Sequence, residues 1–336
     1  MRILIPMDRT GGISGMPHDG GNTTVMTAPL VSVMMPSFNA NATLPRAMAS
    51  LVAQTYANWE CVLVDDGSSE SPAGIVAAAD DERIRLITLD RNYGRGVARQ
   101  VALDNARGEY LAMLDADDWM FPTRIADQVA IMTTDLDLAL VSSSMATVDG
   151  ANELVTVRPA TDDGERFMRY TLTQPGTVPV NFAPSMIRMS IARQGHFAEH
   201  YLRSEDHDFL RMILLNRSFA RLPVLHYAYA EQNEMDLAKI LQSHRYKRAS
   251  LRQYLRRYPR HIGQEIAQSW ATSAAYRLAF AVGAEQRLIA RRSHEPTARD
   301  RQAFAEARAR VDAVQARIFG APVVQDTADG RKGTHA

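Results

Sequence analysis

At 336 residues the chain is long enough for one large domain or two ordinary ones, each with its own core. Hydrophobic residues at 46% and charged residues at 23% are ordinary for a soluble globular protein, and the one cysteine, Cys61, excludes an intramolecular disulfide framework and any multi-cysteine metal site. The balance of 38 basic against 38 acidic residues hides an asymmetry, because Arg245 to Arg317 holds sixteen Lys and Arg against six Asp and Glu.

The first 28 residues are rich in Gly, Thr and Met, lack the long apolar core of a signal peptide and read as a mobile extension, with Met26 an alternative start. No run approaches the roughly eighteen apolar residues of a membrane span, so a cytoplasmic location is expected. From Val31 the pattern alternates. Strands are expected at Val31 to Pro36, Trp59 to Asp65, Ile84 to Leu89, Tyr110 to Leu114 and Leu138 to Ser143. Helices are expected between them at Leu44 to Gln54, Ser71 to Ala79, Gly94 to Ala106 and Pro122 to Met132, with Pro45 suited to a first turn. This is the α/β pattern: a mostly parallel, Rossmann-like sheet with helices on both faces. After Asp149 it loosens, although one apolar stretch runs from Phe182 to Ile187 and helical spacing returns at Glu205 to Asn216. The rest reads as helix at Asp236 to Tyr258, Gly263 to Ala290 and Thr297 to Phe319, then a disordered tail, 320–336. Cys61 lies in an apolar run and reads as a small buried hydrophobe.

The strand at Tyr110 to Leu114 runs directly into Asp115-Ala116-Asp117-Asp118. Open α/β sheets bind ligands beyond the carboxyl ends of their strands, and unpaired buried carboxylates are costly, so a cation is expected there. In extended backbone Asp115 and Asp117 point to one side, roughly 7 Å apart at Cα, a spacing that suits one hard ion such as Mg2+ or Mn2+. Taken alone, the same residues fit a solvated turn that caps the next helix. Three further clusters fall at the same sheet edge: Pro36-Ser37-Phe38-Asn39, Asp65-Asp66-Gly67-Ser68, and Gly94-Arg95 with Arg99 at a helix start that suits a phosphate. Carboxylates after strands two and four plus a basic helix start describe a nucleotide-diphosphate and metal pocket.

With these motifs in place, VSVMMPSFNA, CVLVDDGSSE and RNYGRGVARQVALDNARGEYLAMLDADD resemble the family 2 glycosyltransferases of GT-A fold. The resemblance is close over Pro29 to Asp118 and looser through Pro184 to Arg188, Gly195 to Phe197 and Arg203 to Asp208. It implies an inverting, metal-dependent transfer from a nucleotide sugar, a UDP-sugar favoured, to a hydroxyl of a glycan or lipid-linked acceptor in surface polysaccharide synthesis. It implies that Asp65 or Asp66 pairs with the nucleotide base, that Pro36, Phe38 and Asn39 line its pocket, and that Gly94, Arg95, Arg99 and Ala116 border the nucleotide sugar. Asp115 then approaches the ribose and shares a Mn2+ or Mg2+ with Asp117, while Asp206 of the Glu205-Asp206 pair is the catalytic base. The implied domains are 29–235, divided at 118 into nucleotide-sugar and acceptor halves, and a basic helical region, 236–319.

Two departures stand out. Gln100 occupies a position where the family usually has Asn, a change expected to affect only local packing. Tyr229 to Asn233 replaces the family's Arg/His-containing loop, and the absence of a Gln-x-x-Arg-Trp motif argues against a processive synthase. In the basic half, Arg245 to Arg260 interleaves Arg with Tyr and contains no acid, which fits either a solvated helix face or peripheral contact of 245–261 with an anionic membrane at its cytoplasmic side. No nucleic-acid partner is expected. Trp270, Tyr276, Leu278 and Phe280 read as helix packing. Two alternatives, a nucleotidyltransferase and a binding-only protein, are weakened by the lack of a Lys-bearing loop after strand one and by the intact acidic motifs.

Overall fold

A computed structural model describes residues 28–160, 167–230, 236–284 and 294–320. The expected extension (1–27), the tail (321–336), the loop residues Glu231 to Asn233 and the end of the expected helix to Ala290 lie outside the described residues.

The first half alternates as its hydrophobic pattern dictates: β1 (Val31–Ser37), α1 (Leu44–Val52), β2 (Trp59–Asp65), α2 (Ala73–Ala79), β3 (Ile84–Thr88), α3 (Arg95–Asn105) and β4 (Tyr110–Met113). Strands β3, β2, β1 and β4 lie side by side and parallel. Both faces are covered, so β1 has no polar alternation. Val31, Val33 and Met35 pack with Leu44, Met48 and Leu51 of α1, whereas Met34 faces Ala98 and Ala102 of α3. Pro45 lies in the first turn of α1, where its missing N–H costs nothing.

Beyond β4 the expected parallel order gives way to a mixed sheet. The chain continues through β5 (Trp119–Met120), α4 (Arg124–Thr134), β6 (Leu138–Val148), β7 (Leu154–Arg158), β8 (Met168–Thr171), β9 (Met186–Arg188), α5 (Met189–Ala192), α6 (Glu205–Leu214) and β10 (Ser218–Ala230). The main path runs β3-β2-β1-β4-β9-β6-β10-β5, with β9 antiparallel to both of its neighbours and β7 and β8 added antiparallel to β6 and β10. Strand β10 escapes a sequence reading because Pro223 breaks its pattern. The proline falls where the register of β10 on β6 shifts between Leu222 and Leu225, and a bulge of this kind tolerates a residue without an N–H.

Among the described residues three helices follow: α7 (Leu237–Arg252), α8 (Pro259–Ala281) and α9 (Ala298–Phe319). The carboxylate of Asp236 caps α7 by accepting from the N–H groups of Ala238 and Lys239, and Thr297 with Asp300 forms a capping box on α9. Helix α9 returns to the α/β sheet region. Phe304 meets Trp119 and Phe121, and Arg46 of α1 reaches Asp312 at 2.5 Å. The basic run divides: Arg248 is buried, donates to Ser269 and Ser273 and stacks on Trp270, while Arg252, Arg256, Arg257 and Arg260 are exposed. The expected packing holds for Tyr276, which is buried, and in part for Trp270, half exposed beneath Arg248, while Leu278 is 67% exposed.

Candidate active site

The carboxyl ends of β1, β2 and β4 and the N-termini of α3 and α6 converge on one mouth, and local rules explain how each is held. After β2, Asp65 Oδ1 accepts from the backbone N–H and the hydroxyl of Ser68, at 3.1 and 2.5 Å. Asp66 turns the other way: its two oxygens accept from the N–H groups of Tyr93 and Gly94, both at 2.8 Å, which fixes the entry to α3. Asp65 therefore keeps an oxygen without a donor among the described residues, and Asp66 does not. Gly67, at φ 69°, leaves no room for a side chain, because a Cβ there would lie 2.3 Å from the Arg91 carbonyl carbon. After β1, Asn39 has φ 52°, and its side-chain oxygen accepts from the N–H of Ser69, so these two loops brace each other. Pro36 is buried beneath them, while Phe38 stands 47% exposed at the rim.

Arg99 is the centre of the site. Its guanidinium is 3% exposed, lies over the Phe182 ring, donates to Asp115 at 2.9 Å and donates to Glu205 Oε1 at 2.7 Å. Burial pulls its pKa down, but Asp115, Glu205 and Asp206 hold it above its ordinary value. Arg95, one turn earlier and half exposed, reaches the same Glu205 oxygen at 2.8 Å. Glu205 is thus clamped by two arginines, and its Oε2 is buried without a partner. Asp208, a turn along α6, accepts from Ser250 and Gln253. Asp206 lies between them. One of its oxygens accepts from the neighbouring His207 N–H at 2.7 Å, and the other has no donor among the described residues. Burial pushes the Asp206 carboxyl up, but His207, Arg99 and Arg95 outweigh it, so the group sits below the ordinary carboxylate range. All three acids occupy the first turn of α6, where the helix dipole favours them.

The end of β4 sorts its carboxylates in the same way. Asp115 is committed to Arg99, and its backbone N–H donates to the Tyr227 hydroxyl at 3.1 Å. Asp118 is buried and accepts from Tyr227 and from the Ala230 N–H, both at 2.8 Å. Burial, then Asp117 and Asp115, raise it well above the usual range. Asp117 is exposed and receives no bond from another described residue, and burial with the nearby Asp115 charge raises its carboxyl. Ala116 is buried between them. Among the described residues no three His, Cys, Asp or Glu side chains gather as a metal cage. Mg2+ and Mn2+ can nonetheless be held by one or two carboxylates with substrate phosphates and water, and Asp117 beside Asp115 fits such a site only when the substrate brings those oxygens.

The anticipated residues Asp115, Arg99, Arg95, Glu205 and Asp206 thus form one connected cluster. Tyr227, Phe182 and Gln100 were missed as contributors. Gln100 does more than local packing, since its Oε1 accepts the Phe197 N–H at 2.9 Å and joins α3 to the acceptor half.

A nucleotide-sugar transferase fold of the GT-A type accounts for this sheet and its acidic mouth. S. aureus TarS, residues 1–349, superposes with a TM-score of 0.59 over 84% of this chain and 83% of its own, at 18% identity, in a crystal structure with UDP-GlcNAc. Residues 32–194 match the family described as glycosyl transferase family 2, so the chain carries a domain of that family. Among its relatives, the Escherichia coli UDP-Glc:alpha-D-GlcNAc-diphosphoundecaprenol beta-1,3-glucosyltransferase WfgD is 40% identical over 31% of this chain and 41% of its own length. An uncharacterized glycosyltransferase of Methanocaldococcus jannaschii is 31% identical over 55% of this chain and 64% of its own. Each of these matches spans less than two thirds of the relative.

Proposed function

We propose that the chain moves a sugar from a nucleotide diphosphate sugar, a UDP-sugar, to a hydroxyl of a glycan or lipid-linked acceptor in polysaccharide synthesis, with inversion at the anomeric carbon. One observation carries the reading: of the three acids opening α6, Asp206 alone is partly open, whereas Glu205 is buried against Arg95 and Arg99 and Asp208 is buried against Ser250 and Gln253. Asp206 accepts the acceptor hydroxyl proton as that oxygen attacks the anomeric carbon from the face opposite the diphosphate. The bond to the diphosphate breaks and the nucleotide leaves with the electron pair. Glu205 orients Arg95 and Arg99 beside the base, and the half-exposed Arg95 at the start of α3 is available to the diphosphate. When bound at Asp117, Mn2+ or Mg2+ supplies Lewis-acid neutralisation of the leaving diphosphate. The UDP-sugar named for WfgD and the UDP-GlcNAc in TarS support the donor class.

Asp206→Asn keeps the side chain's shape and removes its basicity. Turnover is expected to fall by about 10²–10⁴, with donor affinity near that of the native chain. Nucleotide diphosphate release with acceptor present, beside a donor titration, checks both. Undiminished release would reassign the base.

We further propose that the chain works on the cytoplasmic side of a membrane and touches its anionic surface through 245–261, where five exposed arginines, Arg245, Arg252, Arg256, Arg257 and Arg260, accompany the exposed Leu255. Each such charge contributes about 1 kcal/mol near an anionic surface. Co-sedimentation with phosphatidylserine vesicles but not phosphatidylcholine vesicles is expected, and equal recovery with both would refute the contact.

A further inference from the structure

Between α6 and α7 lies a cavity of about 230 Å³ that the chemistry above does not use. His207 and Arg211, four residues apart on α6, line it together with His244 and Lys247 on one face of α7, and Thr177 and Ser204 border it. None of its eight lining residues is acidic. Two of its cations have unused donors. The Lys247 ammonium donates to Thr177 at 2.8 Å and to Glu265 at 3.1 Å, which leaves one of its three N–H groups free. Arg211 is 1% exposed and donates to the Gly176 carbonyl and the Ser250 hydroxyl, while its Nε is buried with no partner. A buried charged donor left unmatched is costly, and an anion that supplies an acceptor relieves that cost.

The cavity is smaller than the roughly 300 Å³ at which pockets for drug-sized ligands begin, so it suits a headgroup rather than a nucleotide sugar. Its place is informative: Ser204 and His207 lie on either side of Asp206 in the chain. We propose that this cavity is an acceptor-side anion site, holding a phosphate or diphosphate group of the acceptor while a nearby hydroxyl is presented to Asp206. The proposal rests on the reading of Asp206 as the base, and it adds that the acceptor is phosphate-bearing rather than a neutral glycan.

The test is calorimetric titration of the metal-free chain with inorganic pyrophosphate, comparing native protein with His207→Gln/Lys247→Gln and with Arg256→Gln, which removes an exposed charge that lines neither the cavity nor the sheet mouth. The first variant is expected to bind about tenfold or more weakly, the scale of losing one charge-assisted contact, and the second to bind like the native chain. No binding to the native chain overturns the proposal, as does full retention of affinity in the cavity variant. Because Lys247 also joins α7 to Glu265, the exposed single change His207→Gln is run beside the pair, and its full retention of affinity counts against the site. A second arm uses phosphatidylcholine vesicles with and without a polyprenyl diphosphate. Preference for the doped vesicles that disappears in His207→Gln/Lys247→Gln supports the site and names a lipid headgroup. Pyrophosphate binding without that preference supports it and names a soluble phosphate. The titration reads no turnover, so its failure is distinct from a failure of sugar transfer.

Discussion

The arginines of α3 and those that close α7 and open α8 are chemically alike and behave in opposite ways. Arg99 is buried among Asp115 and Glu205, and Arg95 shares the latter. Arg252, Arg256, Arg257 and Arg260 lie at the surface, with no carboxylate within salt-bridge distance among the described residues. Guanidinium charge therefore does not define a role here; its partner does. At the sheet mouth the cations hold acids in a fixed array, whereas at the helical end they leave a field open to outside anions.

That contrast can be broken most forcefully at Arg99. Arg99→Met strands Asp115 and leaves Glu205 with Arg95 alone, and unfolding by urea is expected to show a loss of about 3–5 kcal/mol. Arg256→Gln, by comparison, should lie within about 0.5 kcal/mol of the native chain. Similar losses in both would erase the distinction. The next effect concerns ligand rather than fold. Asp117→Asn is expected to weaken donor binding about tenfold in Mn2+ and to leave metal-free binding unchanged, as read by calorimetry. The smallest effect sharpens the picture of the mouth. Asp118 is raised well above the usual carboxylate range by burial and then by Asp117 and Asp115, so its charge opposes folding above its ordinary pKa and protonation on acidification restores stability. Asp118→Asn should change stability by only about 1 kcal/mol, a lost charge-assisted bond offsetting the relieved desolvation. Its standing relative to the native chain should improve as pH rises toward neutrality. Thermal unfolding across pH 4 to 8 reads the trend, and parallel curves would contradict it.

Much of this was legible in the residues. Strands β1, β2 and β4 are largely apolar runs because both faces are covered, and β2 begins and ends where the pattern indicates, at Trp59 and Asp65. The mouth was legible too, since Asp115, Asp117 and Glu205-Asp206 follow local breaks from apolar to acidic. What escaped depends on distant pairing. Strand β10 is disguised by Pro223 at a bulge, so Tyr227 could not be seen to reach both the Asp115 N–H and Asp118. The three neighbouring acids of α6 could not be ranked without Arg95, Arg99, Ser250 and Gln253 around them. Basic spacing along 245–260 also gave no sign that Arg248 turns inward onto Trp270.

The single guanidinium that touches both Asp115 and Glu205 has an evolutionary corollary. It rivets the carboxyl end of β4 to the start of α6, so under the proposed reading the donor and acceptor specificities cannot drift wholly apart. A chimera that replaces the chain from β5 onward must arrive with a carboxylate at the Glu205 position, or the exchange will loosen the Arg99–Asp115 pair that it meant to preserve.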